Sequence, residues 1–382
     1  LLAMRTTKCS PLLAVRRAAS KAPEVPPSRF FTWAKSNWGT ASFARAAKIK
    51  GDLAMFLRLD NVARSIQFRH ARDKVSQNQL PPLARSALDR DYLLRANPDL
   101  TTLLRSQPNS WALLMHQGKV LLGPNKELEL IPLSSAPSST VLVYLGKTIQ
   151  QSKHGAPGAL ISLVVIDQAQ ADVVEPDHAR WISLRATGAG LSDLDAGIFT
   201  QGLALANWHQ NHTHCPSCGS PTMIEQGGWV RRCPVDEMEL FPRTDPAVIV
   251  SILDENDRIL LGSQGVWEQN RWSILAGFVE PGESLEAAVV REMKEESGLD
   301  VSGAKYTYSQ GWPYPYSLML GFTARANSSQ ALRPDGEEIA KLRWFSREEI
   351  AAEAKELLLP GRATISRAMI ELWYGSELVS AT

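Results

Sequence analysis

A run of glutamates between Gly277 and Leu299 has the residue types and the spacing that metal chemistry requires. Ser284 can cap a helix whose apolar residues recur at helical spacing, and Gly298 can end it. On that helix Glu292 and Glu296 lie four residues apart and therefore on one face. Like charges at this spacing destabilise a helix by roughly 0.2 to 0.5 kcal/mol per pair, and a bound divalent cation would reverse that penalty. The stretch therefore predicts a divalent-metal site.

The alternative interpretation is an ordinary solvated helix face, which is what most charged helices present. The full register argues against it. From Gly277 the order is Gly, five residues, Glu, seven residues, Arg-Glu, an apolar residue, any residue, Glu-Glu, any residue, Gly and an apolar residue. This order resembles the signature of the Nudix hydrolase family at every specified position, and chance agreement is on the order of one in a billion per starting point.

The Nudix resemblance implies hydrolysis of a nucleoside diphosphate linked to another group, with Mg²⁺ or Mn²⁺ as cofactor. It implies catalytic roles for Glu292, Glu295 and Glu296. Glu292 and Glu296 would bind the metal together with Glu338 and the backbone carbonyl of Ala276, and Glu292 or Glu295 would be the base. The remaining box residues are structural, with Arg291 and Glu283 as a pair that holds the loop on the helix: Gly277, Glu283, Arg291 and Gly298.

A second motif, SQGWPYPYS, lies about ten residues beyond the box, from Ser309 to Ser317. It resembles the motif of the NADH pyrophosphatase subfamily, with Gly311 in place of proline and Tyr314 in place of phenylalanine. A loop with two prolines is already stiff and can present aromatic faces to a flat ring, where stacking contributes about 1 to 3 kcal/mol per base. The predicted substrate-binding residues are Gln310, Gly311, Trp312, Pro313, Tyr314, Pro315, Tyr316 and Ser317, with Phe241 and Ser366 added by the resemblance.

The two motifs together predict a pyrophosphatase that cleaves NADH, and also NAD⁺, into nicotinamide mononucleotide, reduced for NADH, and AMP. An alternative within the same class is removal of the NAD cap from RNA, because the same bond is cut. An alternative of another class is a non-catalytic nucleotide-binding module. In the structural interpretation of the second motif, the aromatic loop only packs against a strand edge.

Cys215, Cys218 and Cys233 form a cluster that resembles a zinc ribbon. A structural zinc site needs four ligands, and the position of a fourth cysteine holds Asp236. His214, or the neighbouring His212, is the other candidate for the fourth ligand. The alternative is a relict ribbon in which the cysteines are small buried hydrophobic residues.

The predicted fold is α+β and α/β, in four parts. Residues 1–50 form a leader, 51–205 an N-terminal α+β domain that resembles the NADH pyrophosphatase subfamily, 206–242 the ribbon and 243–382 a Nudix α/β/α sandwich. Strands are predicted from Thr140, over Leu160 to Ile166 and after Phe241, and a last helix from about Ala363 to Tyr374. The family resemblance also implies a homodimer.

The leader carries ten Lys and Arg residues against the single acid Glu24, although the whole chain has a net charge of only +1. A basic, acid-poor leader is typical of an organelle transit peptide, and we expect the mitochondrion, with plastid and cytoplasm as alternatives. No apolar run reaches the roughly 18 to 20 residues needed to span a bilayer, which argues against a membrane partner. Three clustered cysteines favour metal binding in a reduced compartment over a disulfide framework.

Overall fold

The structure is a computed structural model that describes residues 80–379. The predicted transit peptide and the beginning of the predicted N-terminal domain lie outside these residues. The strands are β1 Leu88–Asp89, β2 Ser110–Met115, β3 Lys119–Leu121, β4 Leu130–Pro132, β5 Val141–Thr148, β6 Leu160–Val165, β7 Trp181–Ser183, β8 Met223–Glu225, β9 Val230–Arg232, β10 Glu239–Leu240, β11 Asp245–Leu253, β12 Ile259–Ser263, β13 Leu275–Phe278, β14 Ser302–Trp312, β15 Ser317–Arg325 and β16 Lys341–Phe345.

The helices are α1 Leu100–Ser106, α2 Gln168–Val174, α3 Leu184–Thr187, α4 Asp193–Asn211, α5 Leu285–Ser297, α6 Arg347–Ala352 and α7 Ile365–Tyr374. Short 3₁₀ turns connect several of them, at Pro82–Ala84, Tyr92–Ala96, Leu133–Ser135, His178–Arg180 and Gln226–Gly228. Among residues 80–379, no helix combines the length and the apolar character that crossing a membrane would require.

The N-terminal part is built on a five-stranded sheet in the order β1-β5-β6-β2-β4, in which β2 and β6 are parallel. Helix α4 packs on this sheet through Ile198, Phe199 and Leu203, which share a buried cluster with residues of β2, β5 and β6. Ser192 caps the helix by accepting a hydrogen bond from the backbone N–H of Asp195. This helix was not predicted from the sequence, and it runs across the expected domain boundary at residue 205.

The ribbon is a three-stranded antiparallel sheet in the order β10-β9-β8, and it follows α4 directly in the chain. Gly228, in the turn before β9, lies against β5 of the N-terminal sheet: a Cβ atom there would come within 2.9 Å of Val143 Cα. The φ angle of Gly228 is 90°, a backbone conformation that residues with a side chain rarely adopt. A glycine at this position therefore lets the ribbon approach the sheet closely.

The C-terminal part is a six-stranded sheet in the order β14-β15-β11-β12-β16, with β13 paired to β11. Successive residues of a strand point to opposite faces, and β11 shows this directly. Val248 packs with α5 in one buried cluster, and Ile249 packs with α7 in another. Helices therefore cover both faces, and the predicted α/β/α sandwich is confirmed.

Candidate active site

Helix α5 carries the box glutamates and has a definite start and end. Ser284 Oγ accepts a hydrogen bond from the backbone N–H of Ala287 at 3.1 Å, and Gly298 ends the helix with a φ of 74°. The apolar residues Ala288, Val289 and Met293 are fully buried against the sheet. This packing fixes the rotation of the helix and turns Glu296 inward.

Glu296 is a buried carboxyl group with an unpartnered oxygen. Glu296 is 5% exposed, and its Oε2 has no hydrogen-bond partner among residues 80–379. Burial, and after it the charges of Glu292, Glu338 and Asp335, raise the pKa of Glu296 to about 8, although a backbone hydrogen bond from Ala276 opposes the rise. Burial also raises the pKa of Glu292. The carboxylates of this cluster repel one another, and a divalent cation would relieve the repulsion. Mg²⁺ and Mn²⁺ prefer such oxygen ligands, so the cluster fits either ion.

Gly277 makes room for one of these carboxylates. A Cβ atom at this position would lie 2.0 Å from Cδ of Glu292, so any side chain would displace the Glu292 carboxylate. Gly277 lies on β13, which pairs with β11 at Val248. The first glycine of the box therefore positions the glutamate by leaving space beside the strand.

Arg291 connects the box loop to the helix. Its Nε donates to Glu283 at 2.8 Å, and one of its NH groups donates to both Glu292 and Glu295, at 2.8 and 3.0 Å. Another NH group donates to the carbonyl oxygen of Phe278 at 2.9 Å. The pair with Glu283 was predicted. The bonds to Glu292 and Glu295 were not, and they fix the orientation of both candidate bases.

Two neighbouring cavities lie along this part of the sheet. The smaller, of about 360 Å³, is lined by Glu292, Glu338, Ala276, Ser317 and Met319, among others. The larger, of about 870 Å³, is lined by Trp312, Gln310, Ser366, Ile249, Arg185 and also Met319, among others. In the sheet Gln310 pairs with Met319, which pairs with Ala247, which pairs with Phe278. Three strand spacings of about 4.8 Å separate the ends of this row by roughly 15 Å.

The predicted aromatic loop contributes one ring, not three, to the larger cavity. Trp312 lines it, whereas Tyr314 packs against Trp312 with ring centroids 4.9 Å apart. The guanidinium of Arg185 lies 4.0 Å from the centroid of the Tyr314 ring, so this face is already covered. Tyr316 is buried, and its hydroxyl accepts a hydrogen bond from Asn211 at 2.6 Å. The structure therefore differs from the prediction that all three aromatic faces are presented to a substrate.

Of the other predicted substrate-binding residues, some line a cavity and others do not. Gln310 is 1% exposed, and its side chain is used by the segment before α7, where it donates to Ala363 O and accepts from Ile365 N. Ser366 lines the larger cavity and shares a 2.8 Å hydrogen bond with Ser273. Phe241 is 62% exposed and lines neither cavity. Gly311 lies on β14 and Pro313 and Pro315 lie in the loop after it, and these three residues also line neither cavity.

Cys215, Cys218, Cys233 and Asp236 form the predicted ligand cluster, with one ligand atom of each within 4.8 Å of all the others. Cys218 Sγ and Cys233 Sγ are 3.4 Å apart, and Cys215 Sγ is 3.2 Å from an Asp236 carboxylate oxygen. Bonds of about 2.3 Å to a tetrahedral zinc ion place sulfur ligands about 3.8 Å apart, so these four groups fit zinc.

The two histidines that were the other candidates are used elsewhere. His214 is exposed and pairs with the hydroxyl of Thr213, and the His212 ring contacts the ring of Tyr316. Neither belongs to the ligand cluster. Of the two alternatives for the fourth ligand, the geometry favours Asp236.

Some residues of the site were missed by the sequence analysis. Asp335 accepts hydrogen bonds from the backbone N–H groups of Glu337, Glu338 and Ile339, so it shapes the loop that carries Glu338. The Asp-Gly pair at this point is a turn signal that could have indicated it. Met319 could have been found from strand alternation, because it lies two residues after Ser317. Arg185 had no such signal.

Three families match consecutive parts of the chain. The NADH pyrophosphatase-like rudimentary NUDIX domain matches residues 109–208, the NADH pyrophosphatase zinc ribbon domain 210–241, and the NUDIX domain 243–368. The NAD-capped RNA hydrolase NudC of Mycobacterium tuberculosis is 35% identical over 316 residues, which is 78% of this chain and 96% of that protein. The NAD-capped RNA hydrolase NUDT12 of Macaca fascicularis is 36% identical over 335 residues, 76% of this chain and 72% of that protein.

Among solved structures, a NUDIX hydrolase from Nitrosomonas europaea is 21% identical, covering 44% of this chain and 95% of its own, with a TM-score of 0.35. By its glutamate box and its sequence similarity, this chain is a Nudix hydrolase. It belongs to the branch of that family that carries the NADH pyrophosphatase zinc ribbon.

Proposed function

We propose that this protein hydrolyses the diphosphate bond of NADH, and also of NAD⁺, to nicotinamide mononucleotide, reduced in the case of NADH, and AMP. The observation that carries the proposal is the buried, unpartnered carboxylate oxygen of Glu296, which faces Glu292 and Glu338. The larger cavity is lined by the ring of Trp312, among others. It shares Met319 with the smaller cavity, which Glu292 and Glu338 line. A dinucleotide has the matching parts: a diphosphate for the carboxylate cluster and a flat ring for the cavity.

Mg²⁺ or Mn²⁺ held by this cluster would neutralise the diphosphate and lower the pKa of a water molecule. The chain supplies the positioning. Arg291 holds the carboxylates of Glu292 and Glu295 in fixed orientations through its hydrogen bonds. Glu292 lines the smaller cavity, whereas the Glu295 side chain is more than half exposed to solvent. Of the two candidate bases, Glu292 is therefore the better placed to accept the proton of the attacking water.

The test is Glu296→Gln, assayed for AMP release from NADH with Mg²⁺ or Mn²⁺. We expect turnover to fall by several orders of magnitude in a folded protein, because the variant loses a charged ligand. Glu286→Gln is the matched control, since Glu286 lies on the same helix and is exposed. Near-normal turnover of Glu296→Gln would refute the ligand assignment. Absence of AMP release from the unmodified protein, with either metal, would refute the function.

The second candidate is removal of the NAD cap from RNA, which cuts the same bond. Two observations favour it. The relatives in Mycobacterium tuberculosis and Macaca fascicularis are named NAD-capped RNA hydrolases. Arg185 and Arg362 also bring positive charge to the wall of the larger cavity, where Arg271 is paired with Glu268. Phosphates of an RNA chain would add salt-dependent binding, so comparing kcat/KM for NADH and a capped transcript at two salt concentrations ranks the substrates.

The other parts of the proposal concern the ribbon and the assembly. Structural zinc bound by three cysteines and Asp236 is supported by the ligand geometry. A homodimer is supported by the exposed apolar side chains of Val235, Met238 and Phe241, which lie close together in sequence. Light scattering on the purified protein tests the dimer, and a mass corresponding to one chain would contradict it. Targeting to the mitochondrion rests on the basic leader alone, and fusing residues 1–50 to a fluorescent protein tests it.

A further inference from the structure

We infer that Asn207 is a positioning residue that fixes the loop between β14 and β15, and with it Trp312 at the end of β14, at the larger cavity; the role in substrate binding rests on the proposed function. The Asn207 side-chain amide donates one hydrogen bond to the carbonyl oxygen of Pro313, at 3.0 Å, and one to that of Pro315, at 3.2 Å. Both N–H groups of a single amide are thus used on two carbonyls of the loop, more than a hundred residues away in the chain.

A second bond from the same helix holds the next part of the loop. Asn211, one turn beyond Asn207 on α4, donates to the hydroxyl of Tyr316 at 2.6 Å. That hydroxyl in turn donates to the backbone carbonyl oxygen of Asn207. The His212 ring packs edge-on against the Tyr316 ring, with centroids 5.7 Å apart. The end of α4 therefore holds the loop at three successive points.

The helix end is itself held by the ribbon. His209 is 2% exposed; its Nε2 donates to the carbonyl oxygen of Gly228, and its Nδ1 accepts from Arg231 at 3.0 Å. Arg231 is also buried and donates to Thr222 at 2.7 Å. Because these groups lie on β9 and beside β8, the ribbon fixes α4 while Asn207 points to the loop. The ribbon therefore contributes, through α4 and Asn207, to the position of the loop at the larger cavity.

The loop needs such an anchor because the Trp312 ring lines the larger cavity and also packs against the N-terminal part of the molecule. Trp312 and Tyr314 pack against the buried cluster of the N-terminal part, and Arg185 from α3 lies beside both rings. Without the two bonds from Asn207, the Pro313 and Pro315 carbonyls lose their donor. The loop can then shift relative to the metal-binding carboxylates, although those carboxylates remain in place.

The test is Asn207→Asp in the full chain, which keeps the side-chain shape but replaces the donor with an acceptor that repels both carbonyls. Loss of two hydrogen bonds predicts a KM for NADH that rises roughly ten-fold, with kcat changed less than about three-fold, because binding is lost equally in the ground state and the transition state. Hydrogen exchange measured by mass spectrometry should be faster in the peptide covering residues 309–317. Gln210→Glu is the matched control, because Gln210 is exposed on the same helix and the charge change is identical.

Unchanged exchange in residues 309–317 of Asn207→Asp, or an equal rise in KM in Gln210→Glu, would overturn the inference. If Asn207→Asp does not fold, Asn207→Ala removes the donor without adding charge and must show the same faster exchange. The exchange measurement needs no substrate, so it remains decisive for Asn207 even if the unmodified protein fails to cleave NADH and the proposed function is wrong.

Discussion

Substituting Glu296 by glutamine should stabilise the metal-free protein at pH 8 while removing its response to divalent cations. The reason is the raised pKa of this buried carboxyl group, which is about 8 in the folded protein against 4.5 for an ordinary glutamate. A carboxyl group with a higher pKa in the folded state takes up a proton on folding. The contribution of Glu296 to the free energy of unfolding therefore decreases as pH rises above about 4.5, and it levels off only above pH 8.

The size of the effect follows from that shift. At pH 8 this shift lowers the free energy of unfolding by about 4 kcal/mol, because the unfolded chain ionises the group with its ordinary pKa of 4.5 and each pKa unit corresponds to about 1.4 kcal/mol. Glutamine has the shape of the protonated form and no charge, so we expect Glu296→Gln to raise the free energy of unfolding by about 2 to 4 kcal/mol at this pH. At pH 5 the same shift costs only about 1 kcal/mol, so the two proteins should differ much less than at pH 8.

Urea denaturation at pH 5, 6.5 and 8 measures the effect, with Mg²⁺ and Mn²⁺ removed by dialysis so that the zinc proposed for the ribbon is not removed. Adding Mg²⁺ at pH 8 should stabilise the wild type and leave Glu296→Gln unchanged. Glu286→Gln is again the control and should follow the wild type. A variant that is less stable than the wild type at pH 8 without divalent cations, or one that Mg²⁺ stabilises equally, would show that Glu296 is not the buried ligand described above.

Three further predictions concern other residues. Asp236→Ala should lower bound zinc well below one ion per chain and Asp236→Cys should retain it, as measured by metal analysis; full occupancy of the alanine variant would exclude Asp236 as a ligand. Gly277→Ala should reduce turnover at least about a hundred-fold with little change in KM, because its Cβ displaces Glu292, and wild-type kinetics would contradict that geometry. Burial lowers the pKa of His209 to about 4, so folding disfavours its protonation and stability is lost as pH falls from about 6.5 towards 4. His209→Gln should remove about 2 kcal/mol of that loss at pH 5 in urea denaturation, whereas an unchanged pH dependence would contradict the neutral buried histidine.

The sequence predicted the elements whose signals are local. The box helix has a cap, an apolar face and a terminating glycine, and it runs from Leu285 to Ser297 as expected. The last helix was predicted from about Ala363 and begins at Ile365. Strand β6 was expected over residues 160–166 and covers 160–165. In each case the apolar periodicity and the flanking residues point to the same structure.

The misses have a different physical origin. Helix α4 is buried on several sides, so Gly197, Gly202 and many apolar residues replace the clear amphipathic pattern that would have revealed it. The use of Tyr316 and Gln310 could not be read from the motif either. Their partners, Asn211 and Ala363, are about 105 and 53 residues away in the chain. A motif indicates which side chains lie in a loop, but distant partners decide which of them remain available to a substrate.

The packing of Trp312 and Tyr314 against the N-terminal cluster has a consequence for how this enzyme can be divided. That cluster also includes Ala363, from the segment that leads into α7. A fragment beginning at residue 243 would contain the whole catalytic box yet leave two aromatic rings without their apolar surroundings. Such a fragment would tend to aggregate, and it would lose the anchored loop even if its sheet formed. The match to the NUDIX domain begins at residue 243, but the shared packing means that the enzyme cannot be divided there without exposing part of its core.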